Sequence, residues 1–85
     1  MITINMQKTS NDNYIFNSNK GNTLLLYKKL GYWNWNLFPK NSAYTNSKFD
    51  DEIPQGFSTK EDAVSDIEKT LQQVYNKSFR IILED

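Results

Sequence analysis

The sequence predicts an α+β fold: an antiparallel sheet of four to six strands packed on one α-helix, in the order β-β-β-β-(β)-α-β. Three features predict it. Short runs ahead of residue 50, bounded by turn clusters, read as strands, the first of them alternating apolar with polar residues at the period of a half-buried strand. One run, residues 58–75, instead repeats its apolar residues at helical spacing. That helix carries a single apolar stripe, and one stripe against one sheet face makes a two-layer sandwich. With 85 residues, the chain has room for one core, so residues 1–85 are expected to form one small domain.

Taken in order, Ile2, Ile4 and Met6 alternate with Thr3, Asn5 and Gln7 as a first strand. Ser10-Asn11-Asp12-Asn13 is a turn cluster, and Tyr14-Ile15-Phe16 returns from it. Residues 17–22, containing Gly21, form a second loop before a third strand over 23–28. Leu30-Gly31 marks a tight turn into a fourth strand over 32–38, which ends at Pro39 because proline cannot donate to a ladder. A short edge strand is expected around Ala43-Tyr44-Thr45, and Pro54 and Gly56 place a loop over 50–56. Ser58 with Glu61 three residues on reads as a capping box that opens the helix. Ala63, Val64, Ile67, Leu71, Val74 and Tyr75 form its stripe, with Glu61, Asp62 and Asp66 early and Lys77 late, as the helix dipole favours. Phe79 to Leu83 then reads as a final strand.

Composition narrows the chemistry. The chain has no Cys, which removes disulfides, zinc-thiolate sites and thiol nucleophiles, and no His, the usual general base and commonest metal ligand. Its three glycines are isolated, so no phosphate-binding loop is present. Asp50-Asp51-Glu52, the one run of three carboxylates, reads as a solvated loop rather than a magnesium site. The expectation is a protein that is not an enzyme and needs no metal or cofactor. The longest apolar run, Leu24 to Tyr27, is far short of a membrane span, and the first residues lack a signal-peptide pattern. The expected location is the cytoplasm.

Charge is segregated along the chain. Residues 1–48 carry six lysines and one aspartate, a net of +5, whereas residues 49–85 carry four cations and nine acids, a net of −5. Such asymmetry suggests a basic and an acidic surface on one small body.

The stretch "GYWNWNLFP" sets the central structural question. Trp33, Trp35 and Leu37 share one strand face, and Tyr32, Asn34, Asn36 and Phe38 share the other. The helix stripe needs a large apolar partner, and two indoles offer on the order of 150–250 Å² each, so the tryptophans are expected in the core and the asparagines on a wetter face. A surplus follows. With Leu24, Leu26, Phe79, Ile81 and Leu83 facing the helix, Leu25, Tyr27, Tyr32, Phe38 and Ile82 are left on the opposite face. Either the first hairpin, with Tyr14 and Phe16, folds over them, or they form an oligomer or partner interface. Lys28, Lys29 and Lys40 border this patch and are the candidate nucleic-acid contacts. Asp50, Asp51, Glu52, Glu61, Asp62, Asp66 and Glu68 make the candidate acidic docking face, suited to a basic groove on a partner.

The Trp-bearing hairpin followed by "FSTKEDAV", residues 57–64, resembles small β-hairpin-then-helix domains whose helix opens with T-K-x-x-A, which implies fold alone. In size, in its eleven asparagines and nine lysines, and in its lack of Cys and His, the chain also resembles small early proteins of T-even-type tailed phages. That second resemblance is carried by composition and by no residue motif. It implies a counter-defence protein that binds and disables a host factor such as a ribonuclease toxin, acting in the host cytoplasm. The leading expectation is therefore a non-enzymatic inhibitor of a host protein. The alternatives are a small module binding RNA or single-stranded nucleic acid, and a structural homo-oligomer.

Overall fold

Four strands follow one another as a meander: β1 (Ile2–Ser10), β2 (Asn13–Asn17), β3 (Thr23–Lys29) and β4 (Tyr32–Phe38). Then come a two-residue strand β5 (Tyr44–Thr45), the helix α1 (Lys60–Tyr75) and β6 (Phe79–Glu84). The computed structural model describes residues 1–38, 44–45 and 56–84, with only the backbone pairing given for 44–45. The expected Pro39 stop and the loop over 50–55 lie outside the described residues.

The six strands form one sheet in the order β5-β4-β3-β2-β1-β6. Neighbours are antiparallel except β1 and β6, which run parallel, with Ile4 opposite Ile81 and Met6 opposite Leu83. The sheet is thus mostly antiparallel, as expected, with one parallel pair. The cause is the crossover: the helix carries the chain back to the end of the sheet where β1 begins, so β6 must leave in the same direction as β1. The Ile2 amide donates to the Ser78 carbonyl at 2.9 Å and sets this register.

Between β3 and β4, Leu30 (φ 54°) and Gly31 (φ 84°) both take positive φ, as a two-residue type I′ hairpin requires. Glycine adopts this backbone without strain. Leucine does not.

The core lies between the helix and one sheet face. Ala63, Ile67 and Leu71 meet Ile4, Met6, Tyr14, Leu24, Leu26, Trp33, Trp35, Leu37 and Ile81. Trp35 is 1% exposed and Trp33 9%, so both tryptophans are core, as expected. The Trp35 indole Nε1–H crosses the layer to donate to Asp66 Oδ2 at 2.9 Å. The first hairpin does not fold over the opposite face. β1 and β2 lie within the sheet, and Tyr14 and Phe16 point toward the helix, because their pairing with Leu26 and Leu24 puts them on that side.

The helix starts one residue later than expected. Thr59, with extended backbone, is the N-cap, and its hydroxyl accepts from the Asp62 amide at 3.1 Å. Phe57 exchanges two backbone hydrogen bonds with Trp33 (2.7 and 2.8 Å), which anchors the chain as it enters the helix. At the other end Asn76 adopts the left-handed conformation, and its amide bonds to the Gln72 carbonyl. Lys77 therefore lies past the cap and not in the last turn, which holds no basic residue. Val74 and Tyr75, at the end of the expected stripe, are exposed because the helix overruns its cover there.

Candidate partner-binding face

Strand alternation builds the face of the sheet opposite the helix. Leu25, Tyr27, Tyr32, Phe38 and Ile82 all lie on it, joined by Ile15, which pairs with Leu25. Leu25, Tyr27 and Ile15 are half-buried by their neighbours, while Tyr32, Phe38 and Ile82 stay 38–40% exposed. Around them stand polar side chains, most of them uncharged. Asn36, Leu25, Ile15, Gln7 and Glu84 form one row across the strands, and Phe38, Thr23 and Asn17 begin another. Asn36 Nδ2 donates to the Tyr27 hydroxyl at 3.2 Å, and Gln7 Nε2 to Glu84 Oε1 at 2.9 Å. The cations on this face, Lys29 on β3 and Arg80 on β6, stand at opposite corners because they come from opposite ends of parallel-running strands. Among the described residues, the result is a nearly neutral surface of aromatic, aliphatic and amide groups.

Asn34 departs from the expected wet face. It shares the open side of β4 with Asn36, yet it is fully buried. Gly56 covers it so closely that a Cβ there would sit 2.5 Å from Asn34 Oδ1 and from the Trp33 carbonyl. Asn34 Nδ2 donates to the Tyr32 carbonyl at 3.3 Å, and Oδ1 has no hydrogen-bond partner among the described residues. Sequence reasoning missed this burial. Gly56 was the only signal, since close backbone approach demands a residue without a Cβ.

The lysine trio is not brought together. Lys28 pairs with Trp33 on the helix side, Lys29 pairs with Tyr32 on the open side, and Lys40 lies outside the described residues. Consecutive strand residues cannot share a face. Lys60, which sequence reading did not single out, instead lies 5.3 Å from the Tyr14 ring centroid and 5.9 Å from that of Trp33, and its Nζ donates to the Tyr14 hydroxyl at 3.2 Å.

The acidic set is also divided. Glu61 and Asp62 are exposed in the first helical turn. Asp66 and Glu68 are half-buried and held inward, Asp66 by the Trp35 indole and Glu68 by the Ile81 amide at 2.9 Å. Asp50, Asp51 and Glu52 lie outside the described residues. Among the described residues, no group of three carboxylates is placed to hold a metal ion, and no helix is long and apolar enough to cross a membrane.

Compared with known proteins, the chain matches no family model, no curated protein and no solved structure. The functional reading rests on the geometry above.

Proposed function

We propose that the protein works by binding a partner protein through the open face of its sheet, occluding that partner as an inhibitor does. One observation carries this reading: the exposed Tyr32, Phe38 and Ile82 share with Leu25, Tyr27 and Ile15 a face that is nearly uncharged among the described residues. Interface centres are depleted in charge and enriched in aromatic side chains, and this face has both properties. An RNA-binding surface needs clustered cations along its aromatics. Here Lys28 and Lys29 diverge to opposite faces, which favours protein over nucleic acid. Of the described acids expected to dock, Glu61 and Asp62 remain outward and are assigned a secondary, steering role.

The finer reading follows from size and composition: a phage-type counter-defence protein directed at a host factor such as a ribonuclease toxin. Affinity capture from a bacterial host extract, with and without ribonuclease treatment, tests it. A host protein that is retained after treatment and lost with the Tyr32→Ser, Phe38→Ser double variant supports the proposal. Capture that disappears with ribonuclease, or with Lys28→Glu alone, on the helix side of the sheet, contradicts it. Concentration-dependent sedimentation abolished by the same sheet-face variant, with no host protein captured, would assign the face to a second copy of the chain.

A further inference from the structure

The helix does not cover the whole inner face of the sheet. Its first half is tied to β4 through Asp66 and Trp35, and its second half to β6 through Glu68 and Ile81. It therefore crosses the sheet diagonally and, among the described residues, leaves one corner uncovered, where β1 and β3 begin and β2 and β4 end. A groove of about 440 Å³ occupies that corner. Ile4, Leu24, Leu37 and Leu71, all buried core residues, form its floor. Tyr75 and Phe79, with ring centroids 5.9 Å apart, make one wall.

Two lysines from separate turns line the groove. Lys20 sits in the turn between β2 and β3, where the Ser18 hydroxyl accepts from the Lys20 and Asn22 amides at 3.2 and 3.0 Å. Lys77 follows the left-handed cap at Asn76. Both side chains are exposed, and among the described residues no carboxylate lines the groove. An apolar floor with two cations at its edge is complementary to a ligand that has an aliphatic body and one anionic end.

We infer that this groove is a binding site for a free amphipathic carboxylate, a fatty-acid anion with a chain of about ten carbons, consistent with the cleft sizes that bind small ligands. The chain lies on Leu24, Leu37 and Leu71, and the carboxylate meets Lys20 and Lys77. The site is on the helix side of the sheet and is independent of the open face proposed above for a partner protein.

Titration with decanoate below its micellisation concentration, followed by methyl and amide NMR shifts, tests the inference. Saturable shifts are expected at Leu24, Leu37 and Leu71, with none at Leu25 or Ile15. Octanoate, shorter by two methylenes, is expected to bind roughly tenfold more weakly. Decyltrimethylammonium, with the same chain and opposite charge, is expected not to bind the natural protein and to bind the Lys20→Glu, Lys77→Glu variant. Ile2→Trp, which places a large ring in the groove at an exposed position, is expected to abolish decanoate binding while leaving the amide spectrum folded. Equal binding of decanoate and decyltrimethylammonium overturns the inference, as does decanoate binding unchanged by Ile2→Trp. So does association with phosphatidylglycerol vesicles in the absence of saturable decanoate binding, which would make the corner a membrane contact.

Discussion

The indole N–H of Trp35 and the carboxylate of Asp66 meet at 2.9 Å across the two layers of the domain. This bond joins a buried ring on β4 to the second turn of the helix, and it removes Asp66 from the acidic surface that the sequence suggests. Trp35→Ala is expected to cost about 3–5 kcal/mol, enough to unfold a domain this small. Asp66→Ala removes the carboxylate that accepts from the buried indole and is expected to cost about 1–3 kcal/mol. Urea denaturation measures both, and an Asp66→Ala variant as stable as the natural protein would mean the bond is not made in solution.

Gly56 lies against the Asn34 side chain with no room for a Cβ. Gly56→Ala would drive a methyl group into the Asn34 amide and the Trp33 carbonyl, both at 2.5 Å. The expected loss is about 1–3 kcal/mol, the usual cost of overpacking. Thermal unfolding checks it. A neutral substitution would show that the segment at Gly56 sits farther from β4.

Leu30 occupies a position that an asparagine would fill with less strain. It is exposed and holds φ 54° beside Gly31. Leu30→Asn creates the Asn-Gly pair that type I′ turns favour, and relief of the left-handed strain is expected to stabilise the protein by about 1 kcal/mol. The readout is the midpoint of thermal unfolding, which should rise.

Glu68 guards an edge. β6 is the outermost strand beside β1, and its Ile81 amide is occupied by the Glu68 carboxylate and not by another strand. Exposed strand edges invite pairing with other chains, and covering them prevents it. Glu68→Ala is expected to increase self-association at high protein concentration, measured by sedimentation velocity. A variant that remains as monodisperse as the natural protein would show the edge needs no such cover.

Local patterns made most of the architecture readable. The alternation at Ile2, Ile4 and Met6, the helical spacing from Ala63 to Leu71, and the opposed faces of Trp33 and Asn36 all correspond to observed elements and sides. What escaped depends on contacts between distant residues. The parallel pairing of β6 with β1 follows from where the helix delivers the chain, which no local period encodes. Asn34 reads as a solvated amide until Gly56 closes over it. Asp66 and Glu68 look like surface acids because their partners, Trp35 and Ile81, lie 31 and 13 residues away. The split of Lys28 from Lys29 was legible in the two-residue strand period, and treating the pair as one basic cluster overlooked it.

The open face can be tested against the acidic helix turn directly, by measuring affinity for the captured partner protein with two pairs of exposed substitutions. Tyr32→Ser with Phe38→Ser is expected to weaken binding about thirtyfold or more, chiefly through faster dissociation, as loss of aromatic anchors does. Glu61→Lys with Asp62→Lys is expected to slow association and leave the dissociation rate nearly unchanged. The reverse pattern, with the aromatic pair silent and the acidic pair decisive, would contradict the assignment of the sheet face as the partner-binding surface.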